Sequence, residues 1–190
     1  MDVTQLRDDG DGETLLAALR RETRPLHDRV DALAALDPVT PAAYERFLSA
    51  MLAAHRPLSS VLDNADQIAW LEADLRALGQ DPDDVPAALD PPPRWLTDSS
   101  RLGAAYVIEG SALGGRALLP GVVATLGDAA TRFITGRGEA TGARWRDVRA
   151  RLERERAADH TGAIAAARDV FARFEHALRE VSARAGRAGS

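Results

Sequence analysis

The stretch from Gly103 to Gly115 constrains the fold more than any other part of the chain. No proline interrupts it, and its alanines and larger apolar side chains favour a helix, yet it contains four glycines. Each glycine costs about 1 kcal/mol relative to alanine in a helix interior. Total stabilities are only about 5–15 kcal/mol, so a compensating contact must offset this cost.

Three of these glycines, Gly103, Gly110 and Gly114, are spaced seven and four residues apart and therefore share one helix face. A face without side chains allows another body to approach the backbone closely. That body is either a neighbouring helix packed through small residues or a flat ligand lying against a helix that bends at Gly110 and Gly114-Gly115. The residues alone leave both interpretations open, and packing is the commoner reason for a glycine in a helical pattern.

Composition predicts an all-α protein, a single compact helical bundle of six to eight helices spanning residues 1–190. A chain of 190 residues is long enough to bury one core. Alanine, leucine and arginine dominate, and β-branched residues form no alternating runs, which disfavours strands. We expect the Asp/Gly-rich arm 1–12 and the tail 184–190 to be mobile.

Several classes of function are disfavoured by composition. The chain has no cysteine, which excludes disulfides and thiolate ligation of a metal or haem. The net charge of -5 argues against nucleic acid as the main partner. No apolar run approaches the ~20 residues that span a bilayer, and the acidic N-terminus is the reverse of a signal peptide. We therefore expect a cytoplasmic protein that binds no membrane.

Capping signals and apolar periodicity place the helices. Thr40-Pro41 is a strong helix start, and Pro25 should kink or split the first helix. The region from Asp81 to Trp95 contains five prolines and is expected to be a connector, while Pro120-Gly121 should stop the glycine-rich helix. Gly79 is expected to end the third helix, and Gly136-Arg137-Gly138 should form a turn. The predicted helices cover 13–36, 41–62, 68–78, 99–119 (capped by Ser99 or Ser100), 128–134, 139–157 and 159–183, the last carrying a seam of Ile164, Ala167, Phe171, Phe174, Leu178 and Val181.

Few residues carry the signatures of known chemistry. No Glu-x-x-His pair, zinc-protease signature or nucleophile elbow occurs, so di-iron bundles, zincins and serine hydrolases are set aside. Of the four histidines, His27 is the most informative because Arg20 and Thr23 share its helix face, which pairs an imidazole with a cation for an anionic group. The alternative is a partly buried histidine bonded to a backbone carbonyl. His55 lies in an apolar stripe and is expected to be a core residue.

Two segments resemble haem oxygenases. Leu19 to His27 is similar to their proximal helix, in which a threonine precedes the ligand histidine by four residues. The segment Tyr106 to Gly115 resembles the distal helix of their bacterial, biliverdin-producing members, the bacteriophytochrome-associated type. Further agreement comes from Tyr44-Glu45-Arg46-Phe47-Leu48 and Thr141-Gly142-Ala143-Arg144-Trp145, so that the resemblance spans about residues 14–180.

The resemblance implies that haem is clamped between a proximal N-terminal helix and the glycine-rich distal helix. His27 corresponds to the axial ligand of the iron, with Thr23 one turn before it and Arg20 matching a basic position for a haem propionate. Arg146 and Arg149 are looser candidates for the same role. On the distal side the resemblance assigns catalysis to Gly110, Ser111 and Gly114, with Tyr106 and Gly115 also contacting haem, and Ser111 occupies the position of the aspartate found in mammalian-type members.

The implied activity is cleavage of haem, as both substrate and cofactor, to biliverdin, carbon monoxide and ferrous iron. The implied partners are dioxygen, an external electron donor such as ferredoxin or a reductase, and a bacteriophytochrome as acceptor of biliverdin. Two other hypotheses remain: a carrier or sensor that binds haem without degrading it, and a helical bundle that binds no haem. The first two predict ligation by His27, and the third predicts no spectral change when hemin is added.

Overall fold

The computed structural model describes residues 13–86, 91–95, 97–155 and 160–188. Within these ranges the chain is helical and contains no β-strand, which confirms the predicted all-α class. Three short 3-10 segments, Arg56–Ser60, Pro82–Asp84 and Arg116–Leu118, connect the α-helices. The α-helices are α1 (Leu15–Ala34), α2 (Pro41–His55), α3 (Ala65–Ala77), α4 (Asp98–Gly115), α5 (Leu119–Leu126), α6 (Arg132–Thr135), α7 (Glu139–Arg154) and α8 (His160–Ala188).

Helix α8 is the centre of the bundle, because α1, α2 and α4 all pack against it. Its predicted seam is present: Ala167, Phe171, Phe174, Leu178 and Val181 are buried. Positions three and four residues apart share one helix face, so this face supplies a continuous apolar surface to three neighbours. Helix α7 packs against α4 and, less extensively, α1, and thereby closes one side of the bundle.

Threonine caps begin three of the helices. The predicted cap Thr40 accepts a hydrogen bond from the Ala43 amide at 3.2 Å, and Thr14 does the same for α1. Helix α4 begins slightly earlier than predicted, because Thr97, rather than Ser99 or Ser100, accepts from the Ser100 amide at 3.1 Å. Such caps satisfy amides that have no partner within the helix.

Two prolines behave differently from their sequence predictions, and a third, Pro25, does not split its helix. Pro25 lies inside α1, which continues to Ala34 without being split. Pro57 falls in a 3-10 segment, so α2 ends earlier than predicted, at His55. Pro120 does not stop the glycine-rich helix: it occupies the first turn of α5, where its missing N–H has no partner to lose.

Glycines with positive φ angles follow three of the described helices, and one of them, Gly127, stands in for the stop that was expected at Pro120. Gly127, with φ +74°, follows α5, and Gly79, with φ +79°, follows α3 as predicted. Gly136 and Gly138 both adopt φ +59° and form the predicted turn before α7. Positive φ angles are accessible to glycine without a Cβ clash, so these residues mark the ends of helices more reliably than the prolines do.

Both ends of the chain were expected to be mobile. The expected arm 1–12 lies outside the described residues. At the other end, α8 continues to Ala188, beyond Arg184, where we expected the tail to begin. The helix extends because no glycine or proline with a helix-ending role occurs before Gly186 in this segment, and Val181 is its last buried position.

One helical stretch, Asp98–Leu126, is long and apolar enough to cross a membrane by length and composition alone. Three charged residues, Arg101, Glu109 and Arg116, interrupt this stretch, so it contains no uninterrupted apolar run of the length considered in the sequence. In the fold its first half packs against α8 and α7, and Glu109 is buried with Arg144 as its partner. Such packing is that of a core helix. Much of the second half of the stretch Asp98–Leu126, by contrast, is exposed.

Candidate functional site

A cavity of about 520 Å³ lies beside the uncovered part of α4. Its volume falls within the range of roughly 300–1,000 Å³ typical of sites for small molecules and cofactors. Helices α1, α2, α4, α6, α7 and α8 all contribute to the wall. The wall is mainly apolar, and its polar members are His27, Asp31, Tyr106, Ser111 and Trp145.

Aromatic rings from five helices form much of this wall. Tyr106 of α4 and Trp145 of α7 pack with ring centroids 5.7 Å apart, and Phe47 of α2 lies 6.3 Å from Phe133 of α6. These separations are typical of favourable aromatic pairs. Phe171 and Phe174 of α8 complete the set. The sequence resemblance named only Tyr106 among these rings as a contact, because the others are far apart along the chain.

His27 lies on α1 at the cavity wall, with about 57% of its side chain exposed. Its Nδ1 is 3.0 Å from a carboxylate oxygen of Asp31, one turn later on the same helix. Phe171 packs edge-on against the imidazole at 5.8 Å. Since Nδ1 lies beside the carboxylate, Nε2 is the nitrogen left to bind a metal, and many metal-ligating histidines have a carboxylate next to their other ring nitrogen. Asp31 was missed in the sequence, although its spacing of four from His27 was a usable signal.

The glycines of α4 fall into two groups. A Cβ added at Gly103 would lie 2.0 Å from the backbone oxygen of Ala163 in α8, so Gly103 permits close packing of two helices. A Cβ at Gly110 would meet only the Trp145 side chain, at 3.6 Å, and one at Gly114 would meet no atom within 4 Å. Gly110, Gly114 and Gly115 line the cavity. The predicted single glycine face therefore serves packing at one end and leaves open space at the other.

The remaining predicted site residues do not all reach the cavity. Ser111 lines it, and its hydroxyl donates to the Ile108 carbonyl at 2.9 Å. Thr23 is buried one turn before His27, and its hydroxyl donates to the Leu19 carbonyl at 2.7 Å. Three arginines, Arg20, Arg146 and Arg149, are exposed and do not line the cavity.

The three arginines differ in whether their guanidinium groups already have a carboxylate partner. Arg149 donates to Glu153 at 2.9 Å on the same helix. For Arg20 and Arg146 the described part of the chain contains no carboxylate partner. Exposed side chains of this length reposition easily because such ion pairs contribute little energy.

His55 supports the cavity wall from behind, as a core residue. Only 1% of the residue is exposed. Its ring stacks on Phe174 at 5.4 Å and meets Phe133 edge-on at 5.6 Å. Burial lowers the pKa of His55 to about 4, although the hydrogen bond of Nδ1 to the Met51 carbonyl opposes the shift. The ring is therefore neutral near pH 7 and acts as a packing element.

Asp74 holds α6 in place, and α6 carries Phe133 to the cavity. Its carboxylate is fully buried on α3 and accepts the backbone amides of Arg132 at 3.1 Å and Phe133 at 2.8 Å. Burial raises the pKa of Asp74, while these two amides lower it. A carboxylate at a helix N-terminus satisfies amides that lack partners. A helix of only four residues depends on such a cap.

A crevice of about 10 Å³ lies behind α4, beside the main cavity. Ser111 and Phe133 line both spaces. Gln67 also lines the crevice; it is 2% exposed, and neither its amide oxygen nor its amide nitrogen has a hydrogen-bond partner within the described ranges. Buried polar atoms without protein partners are commonly satisfied by water, and the crevice has room for about one molecule.

Comparison with known proteins identifies the fold. A solved structure of the haem oxygenase from Neisseria meningitidis, with nitric oxide and carbon monoxide bound, is similar with a TM-score of 0.70. The two chains are 22% identical, and the match covers 90% of this chain and 92% of that one. No family model and no curated protein sequence matches this chain. The chain thus has the all-α haem-oxygenase fold, while its activity requires an argument from the site itself.

Proposed function

We propose that this chain is a haem oxygenase, which cleaves haem with dioxygen and electrons to biliverdin, carbon monoxide and ferrous iron. The observation that carries the proposal is that an imidazole beside a carboxylate and a bare glycine face line one aromatic cavity. The likeness in fold to a haem oxygenase supports it. Haem would supply the iron at which dioxygen is activated, and its own ring would be the substrate.

His27 would bind the iron through Nε2. A neutral histidine is a common axial ligand of haem, and the Asp31 carboxylate beside Nδ1 would favour the tautomer that leaves Nε2 free. The 3.0 Å contact with Asp31 would orient the imidazole. Phe171 would restrict rotation of the ring from its edge.

The bare face of α4 would lie against the macrocycle. Gly110 and Gly114 have no side chain between their backbone and the cavity, and a Cβ at Gly114 would meet no protein atom within 4 Å. A flat ring that covers this backbone would offset the helix propensity lost at the glycines. The aromatic wall would cover the apolar surface of the ring and exclude water from it.

Ser111 would help to position a water molecule next to the iron. Its hydroxyl donates to Ile108, so its oxygen lone pairs are left to accept a hydrogen bond. The Gln67 amide in the adjoining crevice offers a further donor and acceptor for a bridging water. This arrangement would hold water without placing a carboxylic acid beside the reacting oxygen.

Arg20 and Arg146 would bind the haem propionates after a change of rotamer. Guanidinium groups form strong paired hydrogen bonds with carboxylates, and these two have no carboxylate partner in the part of the chain that is described. Arg149 would first have to release Glu153. Thr23 would act indirectly, by its hydroxyl bond to Leu19 in the turn before His27.

The partners follow from the chemistry and from the family resemblance. The cleavage consumes electrons, and a chain without cysteine has no thiol to supply them, so a ferredoxin or a reductase would be the donor. We further propose that the chain belongs to the bacteriophytochrome-associated type, that biliverdin passes to a bacteriophytochrome, and that the reaction takes place in the cytoplasm.

An optical titration with hemin, followed by reductant in air, tests the proposal. A shifted Soret band that decays while a biliverdin absorption grows would support cleavage. A stable haem spectrum, unchanged when a ferredoxin and its reductase are supplied, would show a carrier or sensor instead. No spectral change on addition of hemin would exclude haem as the ligand.

Replacing His27 with alanine tests the ligand assignment. We expect the axial imidazole band to disappear and turnover to stop, while circular dichroism stays unchanged because the residue is exposed. His176→Ala, at an exposed histidine of α8 that does not line the cavity, is the matched control and should retain turnover. Turnover at the normal rate in His27→Ala would refute the assignment.

A further inference from the structure

A second cavity, of about 450 Å³, lies on another face of α4. It is bounded by α4, by α7 and by the segment 61–64 that precedes α3, and we name it the outer groove. Leu102, Ala105 and Glu109 of α4 line the outer groove, whereas Tyr106 and Gly110 line the first cavity. One helix therefore separates two spaces, and the function proposed above uses only the first.

Two buried oxygen atoms of the outer groove have no hydrogen-bond donor among the described residues. Asn64 is 1% exposed; its amide nitrogen donates to the His55 carbonyl at 2.9 Å, and its Oδ1 has no partner. Glu109 is 5% exposed; its Oε1 accepts from Arg144 Nε at 3.1 Å, and its Oε2 has no partner. A buried acceptor without a donor costs about 1–3 kcal/mol. Both atoms accept hydrogen bonds only, so the missing partner is a donor.

Two carboxylates at the rim of the outer groove, unpaired within the described part of the chain, also favour a cation. Four carboxylates line it against three guanidinium groups. Arg101 is paired with Asp98 at 3.0 Å. Glu109 Oε1 lies near both Arg144, at 3.1 Å, and Arg137, at 3.9 Å. Arg151 lines the groove and makes no ion pair within the described ranges. The exposed carboxylates of Asp63 and Asp147 make no ion pair within the described ranges. Negative charge at the rim therefore adds to the acceptors inside.

Apolar side chains also line the outer groove, among them Leu62, Leu102 and Val148. We propose that the outer groove binds a short aliphatic amine. The ammonium group would donate to Asn64 Oδ1 and Glu109 Oε2, and the alkyl chain would cover the apolar side chains. In a diamine, the second ammonium group would reach Asp63 or Asp147 at the rim.

Calorimetric titration of the full chain without hemin tests this site. The probes are cadaverine, n-pentylamine and pentanol, which share a five-carbon chain and differ in their charged ends. We expect saturable binding of both amines, tighter for cadaverine by about threefold because exposed ion pairs contribute little, and no saturable binding of pentanol. Binding of pentanol equal to that of pentylamine, or no binding of either amine, would overturn the proposal.

Two variants locate the amine. Glu109→Gln should weaken the binding of both amines by about tenfold or more, because it removes the buried negative charge that faces the ammonium group. Should that variant not fold, Asp63→Asn combined with Asp147→Asn changes only exposed side chains, and it should remove the advantage of cadaverine over pentylamine. Asp128→Asn, an exposed carboxylate outside the groove, is the control. If every folded groove variant bound amines as the wild type does, the site would lie elsewhere.

A crystal structure with cadaverine tests independently whether the outer groove binds the amine. Density for the alkyl chain between Glu109 and the rim would support the proposal. Water alone at Asn64 Oδ1 and Glu109 Oε2, under conditions that saturate the calorimetric signal, would refute it. Neither result depends on turnover of haem, so the amine site and the proposed haem oxygenase activity are tested independently of each other.

Discussion

The two halves of α4 use glycine for different purposes. In the first half, Gly103 is buried, and its missing Cβ allows the backbone of α8 to approach at Ala163. In the second half, Gly110 and Gly114 line a cavity, and a Cβ at Gly114 would have no protein neighbour within 4 Å. Glycines on one face of the same helix thus allow the backbone of α8 to pack closely in the first half, and they border empty space in the second half.

This difference shows what a glycine stripe does and does not specify. Spacing assigns residues to a helix face, but the neighbour of that face is set by the rest of the fold. Where the neighbour is protein, the lost helix propensity is offset within the chain by close packing. Where no protein neighbour exists, the cost remains in the free protein unless a ligand covers the face. The comparison can be tested by substitutions that affect one half and spare the other.

Gly103→Ala should have the largest effect. The added Cβ would lie 2.0 Å from a backbone oxygen, which cannot move aside as a flexible side chain would. Overpacking of this kind costs typically 1–3 kcal/mol, and we expect about 3 kcal/mol or more of lost unfolding free energy, measured by urea denaturation. An unchanged midpoint would mean that α4 and α8 do not approach as described.

Two histidines show a similar contrast, because one is exposed and the other is buried. His27 is largely exposed at the cavity, whereas His55 is enclosed by Phe133 and Phe174. Burial lowers the pKa of His55 to about 4, against about 6.5 for an unfolded chain. Between these pH values the unfolded chain binds a proton that the folded protein does not, so stability must fall as the pH is lowered.

Acid titration of stability tests this second contrast. From pH 7 to pH 4 we expect His55 to contribute a loss of about 3 kcal/mol in unfolding free energy, since each pKa unit corresponds to about 1.4 kcal/mol. In His55→Phe this part of the pH dependence should vanish, whereas His27→Phe should retain it. Asp74, whose pKa is raised by burial, contributes in the opposite direction in all three proteins and cancels in the comparison. Parallel curves for wild type and His55→Phe would contradict the assignment.

The sequence was sufficient for the features that depend on local chemistry. The Thr40 cap, the end of α3 at Gly79 and the seam of α8 were all predicted from short-range patterns and are present. Pro120 was misinterpreted because a proline is equally compatible with the end of one helix and the first turn of the next. Local patterns do not distinguish these two cases.

The site was less predictable because it depends on contacts between distant parts of the chain. His27 and Gly110 were chosen from their own segments, but Phe47, Phe133 and Phe171 come from three other helices. No local pattern shows that these rings share a cavity. Nor does periodicity reveal that Gly103 meets Ala163, 60 residues later in the sequence. The fold had to be known before the glycine stripe could be divided into its two parts.

Gly110→Leu tests the open half of α4. A Cβ at this position makes only ordinary contact with Trp145, at 3.6 Å, so the free protein should remain folded. The rest of the leucine would occupy space in the cavity, and we expect hemin affinity to fall by about tenfold or more, or about 1.4 kcal/mol. Ala117→Leu adds the same side chain at an exposed position outside the cavity and should leave affinity unchanged. Equal hemin affinity in Gly110→Leu and wild type would show that hemin does not use this face.

Gly114→Ala should have the smallest effect, and its sign distinguishes the two halves most directly. The substitution is the one used at Gly103, but here the Cβ would meet no atom within 4 Å. Alanine restores helix propensity, so the hemin-free protein should gain about 0.5–1 kcal/mol in unfolding free energy. Hemin affinity should fall, because the methyl group occupies the surface proposed for the macrocycle. If Gly114→Ala raises the unfolding free energy and weakens hemin binding, the free protein carries a cost in helix propensity that hemin offsets. If Gly114→Ala destabilised the hemin-free protein as Gly103→Ala does, both glycines would serve packing, and the contrast between the two halves would be wrong.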